Sequence, residues 1–279
     1  MNSRALAGMC CLLSLPALAQ QVQLPRASPS AKVMQTVGLT DITVEYSSPS
    51  VKGRKIWGGL VPYGEVWRAG ANQATKVTFS KDVTVGDTAV PAGSYAFFAL
   101  PGATQWTLIL NKDADQFGAF SHKKESDVVH VVATPRETPL REHLAYQITD
   151  FTDDTAALTL EWEKLQVSLP IKLQTRNQVK ANIQGISSTD SQSFTSAARY
   201  LLESAKDYPQ GLQLVNKSLA LKETWLADWT KAQLLAATGK YREARGLAEK
   251  AQQLGNKTPD DFFAAENVKT ALKDWKSKS

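Results

Sequence analysis

The side chains with most chemical capacity are gathered in one stretch, VKGRKIWGGLVPYGEVWRAGAN, from Val51 to Asn72. It holds five of the chain's sixteen glycines, two of its seven tryptophans and four basic residues. Arg54, Lys55 and Arg68 carry charges that can seat a carboxylate or phosphate, arginine through its planar fork. Trp57, Tyr63 and Trp67 are flat groups with polar edges, able to stack on a sugar ring or peptide or to fill an apolar gap. Asn72 adds a bidentate amide. Glu65, three residues before Arg68, can orient that guanidinium or serve alone as an acid or base. The candidate ligand-binding set is therefore Arg54, Trp57, Tyr63, Glu65, Trp67, Arg68 and Asn72. A structural reading competes with it: a compact loop over one mouth of a β fold would bury the aromatics as a lid. Arg68 and Glu65 separate the two, being open in the first and paired inside in the second. The preference is for the paired, buried arrangement.

Elsewhere the templates for catalysis fail. There is no Gly-x-Ser-x-Gly elbow, phosphate loop, dinucleotide fingerprint or His-Glu-x-x-His, so no catalytic residue, metal ligand or cofactor is assigned. The three histidines have no ligand spacing. His122 lies in a lysine-rich loop, and His130 and His143 fall in separate strand candidates. Glu65 with Asp153 or Asp154 would make a carboxylate pair, but nothing in the chain draws them together. In ESDVVH, Ser126, Asp127 and His130 are adjacent along one strand, whereas a triad converges from separate elements, and the grouping is read as chance.

These residues must be positioned by a β framework. DITVEYS, KVTFSKDVTV, SYAFFAL, QWTLILNK, DVVHVVAT, EHLAYQITDF, TAALTLEWEK and VSLPIKL alternate apolar and polar, with glycine and proline turns between them and no helical period. This pattern predicts an antiparallel sandwich over 31–173, preceded by a mobile lead-in over 20–30. From 174 to 279 the period changes to that of helices, predicted over 175–183, 191–206, 209–221, 224–237, 241–254 and 259–275. DYPQGLQLVNKSLAL and KYREARGLAEKAQQL align 33 residues apart, with Ala244, Ala248 and Ala251 at small positions of a tetratricopeptide-like pattern. The fold class is thus α+β as two domains, a sandwich followed by an all-α tetratricopeptide-like segment.

The first 19 residues read as an export signal: one charge, an apolar run, and Ala17-Leu18-Ala19 as the cleavage signature. Both cysteines, Cys10 and Cys11, lie inside that run, and lipid anchoring through one of them is the alternative. The remaining chain then has no thiol for disulfides or metal. The net charge of +5 is interspersed, which argues against nucleic acid as a partner, and no stretch suits a retained transmembrane anchor.

The run PSVKGRKIWGGLVPYGEVWRAGAN, with VPAGSYAFFALPG, WTLILNK and FGAF after it, resembles the domain of unknown function 2911 family of exported bacterial proteins. The similarity covers about Pro25 to Leu173. The resemblance implies the β fold and no known reaction; members often have phenylalanine where this chain has Trp57. The expected function is that of a non-enzymatic envelope module, binding a small ligand or glycan through the loop and a protein through the helices. The alternatives are an assembly scaffold working through the helical repeats, or a hydrolase using Glu65.

Overall fold

The computed structural model describes residues 24–278. The predicted signal and the start of the lead-in lie outside the described residues. Ten strands come first and six α-helices follow. One sheet has six strands in the order β1 (Ser30–Val37), β2 (Thr40–Ser47), β3 (Thr75–Phe79), β6 (Gly93–Pro101), β7 (Trp106–Asn111) and β8 (Asp127–Ala133). The other runs β5 (Thr88–Val90), β4 (Val83–Val85), β10 (Thr155–Leu173) and β9 (Arg136–Thr149). Every pairing between these strands is antiparallel. The inward faces supply the alternating residues that the sequence pattern requires: Ile42 and Val44, Val77 and Phe79, Leu108 and Leu110 from the first sheet meet Leu144, Leu158, Leu160 and Leu169 from the second.

β10 doubles back on itself. Nineteen residues fully extended would span about 60 Å, yet the Leu173 amide donates to the Asp154 carbonyl at 2.7 Å. The Thr159 and Ser168 hydroxyls also meet at 2.8 Å. The reversal falls at Glu163, whose φ is +56°. The two strands read from TAALTLEWEK and VSLPIKL are the two arms. β1 is absent from the sequence reading, and Ser28 to Ser30, assigned there to the mobile lead-in, are tied into the sheet. The Ser48 amide donates to Pro29, and Ser30 pairs with Ser47.

Beyond β2 the chain leaves the first sheet for the second. The Val51 amide donates to the Glu142 carbonyl at 2.8 Å and the Leu144 amide to Pro49 at 3.0 Å. It then returns: Trp67 pairs with Ala99, at the end of β6, through bonds of 2.7 and 2.9 Å. The Val51–Asn72 segment thus runs from one sheet to the other across the open end of the sandwich.

The helices are α1 (Thr175–Gln184), α2 (Ser191–Tyr200), α3 (Tyr208–Leu221), α4 (Trp225–Ala237), α5 (Tyr241–Gly255) and α6 (Ala265–Lys276). Caps set their starts: Asp190, Asp207 and Thr224 each accept from a backbone amide three residues on. Successive helices from α2 to α6 pack on one another. The predicted helix over 259–275 breaks after a single 3-10 turn, and α6 starts only at Ala265. The Phe262 ring is buried against Gly255, where an added Cβ would lie 2.4 Å from it. Two aspartates and a proline start a helix well, but burying Phe262 and Ala264 requires the chain to leave the helical path. At the junction with the β segment, Thr175 donates through its hydroxyl to the Asp153 carbonyl, and Arg176 pairs with Asp154 at 3.0 Å.

Candidate functional site

The structure divides the seven candidate residues into three groups. Trp57 and Trp67 belong to the core. Trp57 is 8% exposed and meets Trp106 of β7 edge-on at 4.7 Å, Trp67 at 5.7 Å and Trp162 of β10 at 5.8 Å. Trp67 lies nearly parallel to Trp162 at 5.9 Å and donates through its indole nitrogen to Gly70 at 3.2 Å. Four tryptophans drawn from both sheets and the crossing segment therefore plug the end of the sandwich. Their faces are covered by one another, so Trp57 offers no platform to a ligand. Its indole N–H and that of Trp162 are buried without an acceptor, a cost the cluster bears for its packing.

Arg54 and Asn72 are fasteners. The Arg54 side chain is exposed but folds back, Nε donating to Val51 at 3.0 Å and a terminal nitrogen to Ser50. The Asn72 amide donates to the Ser28 carbonyl at 3.3 Å and the Ser47 hydroxyl at 3.1 Å, stapling the start of β1 to the end of β2. Tyr63 is 45% exposed, its ring laid against Gly58, where φ is +69°. A Cβ at Gly58 would fall 2.8 Å from that ring, so glycine is needed for both conformation and space.

Arg68 and Glu65 form the third group, and the expected buried pair is not there. Among the described residues no ion pair or side-chain hydrogen bond involves either. Arg68 is half-buried and Glu65 is exposed. Alternation explains the split: Trp67 turns into the core, whereas Val66 packs on the opposite, outer face of the six-stranded sheet with Phe98, Ala96 and Ile109. Arg68 shares the parity of Val66. Its Nε is sealed from solvent with no acceptor, and burial lowers the pKa of its guanidinium.

The outer face carries two further features that the sequence did not reveal. The first is a hydrogen-bonded network at the start of β8. The Asp127 carboxylate accepts from Asn111 at 2.7 Å, His122 at 2.9 Å and His130 at 2.9 Å. A bulge brings it together. Leu110 faces Val129, but Asn111 faces Asp127, leaving Val128 as the extra residue and turning Asp127 to the same side as His130. Burial alone would raise the Asp127 pKa; the bonds from Asn111, His130 and His122 outweigh it and hold the pKa below the usual value. The network pins the Lys112–Ser126 loop to the sheet, with His122 edge-on to Phe98 at 5.0 Å. Its members bond to one another, and among the described residues no cluster of His, Cys, Asp or Glu is arranged to hold a metal ion.

The second is a groove of about 690 Å³ over the outer sides of β1, β2 and β3, walled by the Ala114–Phe117 part of that loop. It is lined by Arg26, Lys32, Glu45, Gln73, Gln116 and Phe117 among others. Phe117 is 63% exposed, and the Gln116 side-chain oxygen is buried without a partner. Gln73 pairs through its backbone with Phe117, so the end of the Val51–Asn72 segment leads directly into one groove wall.

A two-sheet antiparallel sandwich closed at one end by a tryptophan plug, with its polar groups displayed on an outer sheet face and an all-α segment behind it, is the class of protein defined here. A family model described as "Protein of unknown function (DUF2911)" matches residues 28–171, and the chain belongs to that family. No curated protein and no solved structure matches.

Proposed function

We propose that this is an exported, non-enzymatic binding protein whose ligand is a small polar molecule of the saccharide class, seated in the groove on the outer face of the six-stranded sheet. The groove's composition carries this reading. Its volume, about 690 Å³, falls in the range typical of small-molecule sites, about 300–1,000 Å³. Exposed Phe117 offers an aromatic face, and the amides of Gln73 and Gln116 stand beside paired charges, Lys32 with Glu45 at 3.2 Å and Lys76 with Asp115. Such a lining suits a ligand with many hydroxyls better than an apolar one. Hydrolysis by Glu65 has less support, because among the described residues no second carboxylate, histidine or arginine is bonded to it. Export rests on the first 19 residues of the sequence.

The test is titration of the labelled protein with neutral hexoses and N-acetylated amino sugars, followed by NMR. Saturable shifts at Gln73, Gln116 and Phe117 are expected. Phe117→Ala should weaken binding about threefold to tenfold, the value of one aromatic contact. If no sugar moves those resonances at millimolar concentration, the reading fails. Finding the mature protein with residue 1 intact in the cytoplasm would refute export separately.

The helical segment supports a second role, as a protein-docking array of tetratricopeptide type. A groove of about 550 Å³ is lined from the end of the α2 region, α4 and α6, by Leu202, Trp229, Gln233, Asn267 and Trp275 among others. Alternate helices line such a concave face in stacked helix pairs. Replacing Gln233 and Asn267 by alanine should release a partner held there and leave sugar binding intact.

A further inference from the structure

Arg68 is held as a ligand-binding group is held, yet among the described residues its side chain makes no hydrogen bond or ion pair. Its backbone is fixed on both sides. The Trp67 amide donates to Ala99 at 2.7 Å, and the Arg68 carbonyl accepts from Thr75 at 3.2 Å. The next residue, Ala69, is fully buried and holds φ at +50°, a left-handed conformation that alanine adopts only under constraint. The constraint is visible: the Ala69 carbonyl accepts from the Tyr146 hydroxyl at 2.7 Å and the Thr75 hydroxyl at 3.0 Å, both within the core. Three of the six non-glycine residues with positive φ among the described residues, Lys52, Ala69 and Asn72, lie in the Val51–Asn72 segment. Local strain of this kind is retained where the surroundings over-determine a position. Here it directs Arg68 onto the outer face.

The space in front of the guanidinium is kept clear by Gly118. Its φ is +68°, and a Cβ there would lie 2.8 Å from the Phe120 ring and 3.7 Å from a terminal nitrogen of Arg68. Phe120 itself is 86% exposed and forms the rim on that side. A cation that is half-buried, has no ion-pair partner among the described residues and has one N–H sealed without an acceptor is poorly solvated as it stands. An acceptor with negative charge at its open end restores what burial removed, and a planar guanidinium fits a two-oxygen acceptor bidentately.

We propose that Arg68 anchors an oxyanion site, taking a carboxylate or a phosphate between Gly118 and Phe120. The terminal nitrogens of Arg68 donate to the anion. Gly118 supplies the clearance, and the Phe120 ring shields one side from water. This site is built from different side chains than the saccharide groove and stands without it. Phe117 and Gly118 are consecutive, so a ligand carrying both hydroxyls and an acid group would bridge the two.

The experiment observes the arginine guanidinium resonances of the intact protein during titration with inorganic phosphate and, separately, acetate at constant ionic strength. One guanidinium signal is expected to shift saturably and to vanish from the spectrum of Arg68→Gln. Phosphate or acetate affinity should fall about tenfold or more in that variant, as expected for losing a charged hydrogen-bonding partner, and be unchanged in Arg242→Gln, an exposed arginine on α5. The anion that saturates first identifies the preferred acid group. Should Arg68→Gln fail to fold, Arg68→Lys replaces it, and weakened but measurable binding is expected from a point charge without the fork. Wild-type protein with no saturable guanidinium shift for either anion would overturn the proposal. So would affinity unaltered by substitution at Arg68. Saccharide binding is measured on the same samples, so failure of one site is read independently of the other.

Discussion

Replacing Trp57 tests whether the tryptophan plug is structural. The side chain is 8% exposed, and a large aromatic ring buries about 150–250 Å². At about 25 cal/mol per Å² that is roughly 4–6 kcal/mol of transfer free energy. Truncation to alanine also loses the edge contacts with Trp67, Trp106 and Trp162 and leaves a cavity between the sheets. Against this, it removes an indole N–H that is buried without an acceptor, which returns about 1–3 kcal/mol. Trp57→Ala should therefore cost about 3–5 kcal/mol, in line with other large-to-small aromatic changes. Trp57→Phe keeps a ring and deletes the orphaned N–H, so its cost should stay below about 1.5 kcal/mol. Urea unfolding followed by near-ultraviolet circular dichroism measures both, and equal slopes would show that the denatured state is unchanged. If Trp57→Ala costs less than about 1 kcal/mol, the cluster is not what closes the sandwich. If phenylalanine is as damaging as alanine, the indole nitrogen has a role that the structure does not give it.

Three other outcomes follow from residues described above. Asp127 titrates below its ordinary value because its ionised form is bonded to Asn111, His130 and His122, so its contribution is present above the unfolded pKa and lost as pH falls through the folded one. Thermal melts from pH 7 to pH 2 should therefore converge for wild type and Asp127→Asn at the acid end, the variant being the less stable at neutral pH. Asp228, on α4, is the opposite case. Burial raises its pKa despite the nearby charge of Lys250, and one of its oxygens has no partner. Its proton is thus held more tightly in the fold, so stability is lost as pH rises from the unfolded pKa to the folded one; Asp228→Asn should melt higher than wild type at pH 7, with the gain shrinking toward pH 4. Gly255→Ala would drive a Cβ into the Phe262 ring, 2.4 Å away. It should destabilise the helical segment by about 1–3 kcal/mol, seen as an earlier loss of far-ultraviolet helical signal.

How far the sequence could be read depended on whether each feature was local. The alternation of Ile42, Val44, Leu108 and Leu110 is local, and it predicts inward faces that the sheets bury. The reversal between TAALTLEWEK and VSLPIKL is also visible, since both arms alternate. β1 is not, because it is an edge strand with weak burial contrast: Val33 is only half-buried and Met34 faces water. The Val51–Asn72 segment is recognisable as special by composition, but composition does not say which way each side chain faces. That is set by pairing of Trp67 with Ala99, which sends Trp67 inward and Arg68 outward. The Asp127 network was out of reach for a sharper reason. Without the bulge at Val128, Asp127 and His130 would project from opposite faces of β8, and nothing in ESDVVH announces the extra residue. Phe262 likewise overrides good helix-starting chemistry through a contact with Gly255 that only the packed helices create.

The path of the Val51–Asn72 segment has a mechanical consequence. It is bonded to the second sheet at Val51 and to the first at Trp67, with Trp57 wedged between them, so it acts as a tie of fixed length joining two plates. Sliding one plate over the other would have to stretch this tie or eject the wedge. Arg68 sits immediately past the tie's second anchor, so a displacement of that anchor would carry the guanidinium with it. Lengthening the tie by a few residues near Gly59 would slacken it between the plates, while Arg68 kept its own anchors on the first sheet through Ala99 and Thr75.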